Sequence, residues 1–175
     1  MEKIAVKVGE LFKIGKQEFI CFGKYQGGIA AVSKEILFSS RYGDDNNFAK
    51  SKILERLQKE YLPEIEREIC AENVLEFETD LISLDGSRKH GILKSKVSLP
   101  TFDFYRTNRS VFAKYKLDEW IWLATPWETS EYTDDDWVVC VSPRGDVNGG
   151  NYDDDRCGVR PFWIFSSDIF ESFDA

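Results

Sequence analysis

Apolar and aromatic runs crowd both ends of this chain, and a charged amphipathic segment separates them. Near the N-terminus stand Glu18-Phe19-Ile20-Cys21-Phe22 and Ile29-Ala30-Ala31-Val32-Ser33. Near the C-terminus stand Trp120-Ile121-Trp122-Leu123-Ala124, Trp137-Val138-Val139-Cys140-Val141-Ser142 and Val159-Arg160-Pro161-Phe162-Trp163-Ile164-Phe165. Short runs of this kind, bounded by turn residues, read as strands. The alternation of Ile4, Val6 and Val8 predicts one more at the start, with Leu11-Phe12-Lys13-Ile14 next. Gln26-Gly27-Gly28 is a turn, and Glu35-Ile36-Leu37-Phe38 extends the strand that returns from it. A second turn, Pro143-Arg144-Gly145-Asp146, predicts a hairpin in the last third.

The middle has a different period. After a polar loop from Arg41 to Asn47, Asn46 or Asn47 is placed to cap a helix. Ile53, Leu54, Leu57, Tyr61 and Leu62 recur at three and four, giving one apolar stripe. Pro63 interrupts it and starts a second short helix with Ile65 and Ile69 facing inward. Lys52, Glu55, Arg56, Lys59, Glu60, Glu64, Glu66, Arg67 and Glu68 form the solvated outer face. Beyond it, Val74 to Leu84 reads as extended, Asp85-Gly86 as a turn, and Arg88-Lys89-His90-Gly91 as a basic surface loop. Pro100 to Arg106 reads as a helical turn, followed by a connection through Phe112 and Tyr115. The expectation is a single α+β domain over residues 1–175. It has antiparallel strands at both ends: a β-meander over 1–40, a helical insert with its connections over 45–115, and a C-terminal β region with acidic loops over 118–170.

Charge is distributed unevenly. Residues 127–155 hold nine acids and one base, a balance of −8, which is also the net charge of the whole chain. The other 146 residues carry 22 acids and 22 bases. Acidic stretches are usually solvated or disordered, but this one contains Trp127, Tyr132, Trp137, Val138, Val139, Val141 and Tyr152. It therefore reads as a folded region displaying a negative field, and the partner it suits is basic. Direct binding of nucleic acid is disfavoured, because such affinity comes from basic groups that neutralise phosphates.

Several classes of function find no motif. There is no apolar run of 18 residues to span a membrane, and the start of the chain lacks the apolar core of a signal peptide, so a cytoplasmic location is expected. Cys21, Cys70, Cys140 and Cys157 form no C-x-x-C pair and read as buried thiols, although Cys140 and Cys157 can face each other across two C-terminal strands. No nucleophile elbow, zinc-binding helix, phosphate loop or dinucleotide fingerprint occurs, and no cofactor and no catalytic residue is expected. His90, the sole histidine, reads as a loop residue. Asp134–Asp136, Asp153–Asp155, and the spacing of Asp146 and Asn148 offer calcium as an option, with a hydrated acidic surface as the default. Trp120, Trp122 and Trp163 read mainly as core, whereas Trp127 and Trp137 either pack beneath the acidic loop or anchor an interface. Arg160 is expected to make an internal hydrogen bond or ion pair.

Three C-terminal segments carry a resemblance: Trp120-Ile121-Trp122-Leu123-Ala124-Thr125-Pro126, Val141-Ser142-Pro143-Arg144-Gly145-Asp146-Val147, and Gly158-Val159-Arg160-Pro161-Phe162. They resemble an uncharacterised domain family of Firmicutes and their phages and mobile elements, which shows W-W-L-x-[ST]-P, V-x-x-x-G-x-V and G-V-R-P segments in that order. This chain departs in having Ile121 between its two tryptophans, and its Asp134–Asp136 run is not a family trait. The resemblance implies a C-type-lectin-like fold, similar to formylglycine-generating enzymes and to the variable receptor-binding proteins of diversity-generating retroelements. It also implies that the region between the Trp-rich and G-V-R strands displays the binding surface.

Together these readings give an expected function: a non-catalytic phage or mobile-element protein that binds a basic, nucleic-acid-binding host defence protein, such as a Cas nuclease. The residues expected to do so are Trp127, Glu128, Glu131, Asp134, Asp135, Asp136, Trp137, Asp146, Tyr152, Asp153, Asp154 and Asp155. The alternative is a lectin-like or receptor-binding module for a glycan or surface protein, with calcium held by the carboxylates.

Overall fold

The computed structural model describes residues 1–129 and 135–173. The protein is a mixed α+β structure. Strands β1 (Leu11–Ile14), β2 (Gln17–Tyr25) and β3 (Gly28–Ser33) form the expected meander. The β2–β3 loop has two residues, Gln26 and Gly27, at φ of 44° and 81°, the paired left-handed geometry that a tight hairpin of right-twisted strands requires. The fourth strand of this sheet is β11 (Phe162–Phe165), from the far end of the chain, giving the order β1-β2-β3-β11. A second sheet has the order β4-β10-β7-β8-β9. Its members are β4 (Phe38–Ser39), β7 (Ile121–Pro126), β8 (Trp137–Val141), β9 (Val147–Asn151) and β10 (Gly158–Val159). A small hairpin pairs β5 (Phe77–Asp80) with β6 (Ile92–Ser95).

Three expectations change here. The two ends of the chain share a sheet. The run read as one closing strand is divided: β10 lies in the second sheet, and β11 lies in the first, antiparallel to β3. The division falls at Arg160-Pro161, because Pro161 has no N–H to offer a ladder. Nor is every pairing antiparallel, since β10 meets β7 in parallel at Gly158 and Ile121. The first predicted strand is also absent as such. Ile4 makes only an isolated bridge to Phe170, and Val8 is 55% exposed.

The central strands are buried on both faces. In β11, Trp163 and Phe165 point into one core, and Phe162 and Ile164 into another. Strand β7 divides the same way, with Trp122 and Ala124 against Ile121 and Leu123. Period-two alternation between two apolar environments produces continuous apolar runs in sequence. The helices cover both faces. Helices α1 (Lys52–Arg56) and α2 (Leu62–Ile69), with the turn between them, deliver Ile53, Leu54, Leu57, Ile65 and Ile69 to the first core. Helices α3 (Phe102–Thr107) and α4 (Arg109–Lys114) deliver Phe104, Tyr105 and Phe112 to the second. The first core is rich in rings, with Phe165 edge-on to Phe12 and Phe19 and stacked against Trp163.

Helix starts follow local chemistry. Asn47 caps only a single 3₁₀ turn, Phe48–Lys50, and Ser51 caps α1 through its hydroxyl to the Leu54 N–H. Pro63 does not end the helix. A π turn over Leu57–Tyr61 carries the chain into α2, with the Leu62 N–H reaching back five residues to the Leu57 carbonyl. The wider turn relieves the proline ring, which would otherwise press on the preceding turn. Among the described residues no helix is long and apolar enough to cross a membrane.

Phe165→Ala should lower the unfolding free energy in urea by about 3–5 kcal/mol, because it empties a ring-packed site that cannot collapse. Val8→Ser should change it by less than about 0.5 kcal/mol, as for an exposed position.

Candidate functional site

The acidic residues are carried by the β8–β9 hairpin and the segments that flank it. Strand β9 is the edge of its sheet and contains Gly149 and Gly150. A Cβ at Gly150 would stand 2.9 Å from the Trp122 ring, and one at Gly149 would stand 3.2 Å from the Trp127 ring. Two tryptophans thus lie against bare backbone on opposite faces of the edge strand. Trp127 is half-buried and packs with the second core, so it lies beneath the acidic region. Trp137 is 50% exposed at the open end of the hairpin, opposite Asn151. Of the three tryptophans read as core, Trp122 and Trp163 are fully buried, and Trp120 is 39% exposed.

A buried asparagine organises this end. Asn46 is fully buried, and its amide donates to the Glu128 carbonyl at 2.8 Å and the Trp137 carbonyl at 3.1 Å. Its side-chain oxygen faces His90 Nε2 at 2.8 Å, and its backbone N–H donates to the Asp135 carbonyl. A buried amide with both its donors and its oxygen engaged holds its neighbours in one register. The Trp127 N–H donates to the Trp137 carbonyl, the Tyr152 N–H to the Asp136 carbonyl, and the Tyr42 N–H to the Tyr152 carbonyl. Glu128, Asp135, Asp136, Trp137 and Tyr152 are therefore gathered on one hydrogen-bonded knot, with Asp153 next in the chain.

The carboxylates there differ in availability. Asp135 turns inward: Lys89 Nζ bonds one of its oxygens at 2.5 Å, and the other is buried without a hydrogen-bond partner among the described residues. Asp154 is half-buried and gripped by Arg156, whose guanidinium holds its carboxyl below the usual carboxylate range. Asp153 and Asp155 are exposed, and Glu128 and Asp136 are half-buried. None of these last four makes an ion pair among the described residues. Asp146 stands apart at the turn end of the hairpin, beyond the Val141–Val147 pair. Glu131 and Asp134 lie outside the described residues.

His90 is half-buried, so it is more than the loop residue expected from sequence. Burial pushes its imidazole below the ordinary range; Asp135 and Asp45 oppose this, and Lys89 and Lys50 add to it. Hydrogen-bonded to the Asn46 amide, it ties two loops together. Sequence reasoning did not single out Asn46, Lys89 or His90 as organisers of this end. Nor did it find a cleft of about 490 Å³ between the β5–β6 hairpin and α3, lined among others by Tyr25, Phe77, Asp80, Phe102, Asp103 and Phe162.

Cys140 and Cys157 are buried thiols without a disulfide, close enough to affect each other. Cys157 is pushed up, first by its thiol neighbour and then by burial. Burial also pushes the Cys21 thiol up to about 11, so it is not an activated nucleophile. Among the described residues no group of three or more His, Cys, Asp or Glu side chains is placed to hold a metal ion. Comparison with protein-family models, with curated proteins and with solved structures finds no match to this chain.

Two outcomes test this arrangement. The imidazole resonance of His90, the sole histidine in the chain, should titrate below the usual value of about 6.5. A histidine depressed on folding binds fewer protons in the native state, so stability is full above the unfolded pKa and falls as pH drops through the folded pKa. Asn46→Ala should cost about 1–3 kcal/mol by leaving buried carbonyls without donors, and should speed amide exchange at Asn46's neighbours Asp136 and Trp137. A His90 midpoint above that of a free imidazole would contradict the burial described.

Proposed function

We propose that this chain is a non-catalytic protein-binding module of phage or mobile-element origin, acting in the cytoplasm of a bacterial host. It engages a basic, nucleic-acid-binding host protein through the open end of the β8–β9 hairpin. The observation that carries this reading is a half-exposed tryptophan, Trp137, at an end of the hairpin whose carboxylates Glu128, Asp136 and Asp153, with Asp155 two residues on, make no ion pair among the described residues. An aromatic anchor surrounded by charge suits a protein interface. The carboxylates would stand where a partner's lysines and arginines otherwise meet phosphates, and complementary fields speed such encounters. The sharpest form of the proposal is inhibition of a defence nuclease such as a Cas enzyme by occupying its nucleic-acid channel.

The C-type-lectin-like reading of the fold belongs with this proposal. Its support is that the three signature segments lie side by side, Trp120–Pro126 largely as β7, Val141–Val147 as the β8–β9 turn, and Gly158–Phe162 as β10 entering β11. A second reading, as a glycan- or surface-protein-binding module, draws its support from the 490 Å³ cleft, where the faces of Tyr25, Phe77 and Phe102 stand near Asp80 and Asp103.

The test uses a purified Cas nuclease, free of guide RNA and loaded with it, in titration against the full chain. Association should be faster at low salt. Combined Asp136→Lys, Asp153→Lys and Asp155→Lys should weaken binding about 100-fold or more, and Trp137→Ala by about 30-fold. Wild-type affinity in the triple reversal would sink the electrostatic reading. Saturable binding of oligosaccharide that Phe102→Ala abolishes would move the function to the cleft.

A further inference from the structure

A chain with a net charge of −8 holds four bases around one small pocket. The pocket is about 110 Å³ and lies where α4 and the segment after it meet the β8–β9 turn. Its bases are Arg109, Lys116, Arg144 and Arg160, and the acid among its lining residues is Glu119; Asp146, next to Gly145 on the same turn, acts on Tyr105 of the wall. None of the four bases makes an ion pair among the described residues.

Arg160 makes this more than a patch of surface charge. It is 3% exposed, and its hydrogen-bond partners are neutral carbonyls. Nε donates to Ser33 and Lys34 carbonyls at 2.9 and 3.1 Å, and Nη2 to the Tyr115 carbonyl at 3.0 Å. Nη1 has no hydrogen-bond partner among the described residues, on a side chain that lines the pocket. Glu35 is the carboxylate whose charge acts on Arg160, without an ion pair between the two among the described residues, and a buried guanidinium so incompletely compensated is costly unless an anion completes it. Desolvation pulls it down to about 10, still well above neutral pH, so the charge persists.

The rim is also fixed. The Gly145 carbonyl accepts from the Tyr105 hydroxyl and from Arg109 Nη2, both at 3.0 Å, so the turn bearing Arg144 is tied to α3 and α4. Phe112, Ile121 and Val141 add apolar wall. The volume suits one tetrahedral oxyanion rather than a nucleotide.

We propose that this pocket binds the phosphate group of a small phosphate monoester, with Arg160 at its floor and Arg109, Lys116 and Arg144 at its rim. The planar fork of arginine matches such oxygens, and charge-assisted bonds to them are the strong ones. The pocket lies at the turn end of the hairpin, away from Trp137, and takes its ligand independently of the acidic end.

The experiment follows the backbone amide resonances of the full chain while inorganic phosphate, phenyl phosphate or benzoate replaces chloride at constant ionic strength. Saturable shifts centred on Ile121, Val141, Ser142 and Gly145 are expected with both phosphates. Benzoate, a monoanion, should bind at least about tenfold more weakly than phenyl phosphate. Arg160→Met would strip three carbonyls of their donor and endanger folding, so the rim is varied instead. Arg144→Ala with Lys116→Ala, both exposed positions, should weaken phosphate binding about tenfold or more with an unchanged spectrum elsewhere. Shifts that fail to saturate, that centre elsewhere, or that persist undiminished in the double variant would overturn the proposal, as would benzoate binding as tightly as phenyl phosphate.

Discussion

Burial of the central strands on both faces is the constraint from which the rest of the structure follows. Every residue of β3, β7 and β11 is buried, and all of β8 except Trp137. A sheet of this kind cannot leave a face to water, so apolar cover is needed on each side. The chain supplies it by dividing its helices. The long amphipathic stripe from Ile53 to Ile69 closes the core that holds Trp122 and Trp163, and the shorter pair α3 and α4 closes the core that holds Leu123 and Phe162. The aromatic content then has a use, since large rings fill two cores in a small protein.

With both faces covered, what remains for display is the perimeter. The β8–β9 hairpin forms one edge, and its two ends differ in sign. The open end carries Asp136 and an exposed indole, with Asp153 and Asp155 shortly beyond it in the chain, and at the turn end Arg109, Lys116, Arg144 and Arg160 outnumber Glu119 and Asp146. Separation along a hairpin of rigid strands keeps these charges from pairing with each other. Each end therefore keeps its field, where a mixed arrangement would cancel it.

The strands are legible in sequence because apolar runs and turn residues are local signals. Phe19 to Phe22, Trp120 to Ala124 and the turn at Pro143 to Asp146 all take the form that their residues suggest. Which sheet a strand joins is not local. Nothing in Gly158 to Phe165 distinguishes a strand of one sheet from a strand of two, except Pro161, whose meaning depends on what lies opposite. The first strand fails for a related reason: Ile4, Val6 and Val8 alternate, but β1 takes the edge position beside β2, leaving Ile4 a single bridge to Phe170. At the acidic end the residue list is legible but its grouping is not. Composition places Asp135, Asp146 and Asp153 in one block, whereas Lys89 turns the first inward and the length of a hairpin separates the second from the third. Asn46 and His90 escape detection because a polar loop residue looks solvated until its partners, 82 and 44 positions away, are known.

The passage of one segment from β10 to β11 has a mechanical consequence. Gly158 and Val159 are stitched to β4 and β7, and three residues later Phe162 is stitched to β3. A thermal fluctuation that peels one sheet open must drag the other with it through a span too short to absorb slack. Melting by halves is thereby suppressed, and the two sheets come apart as a single cooperative unit.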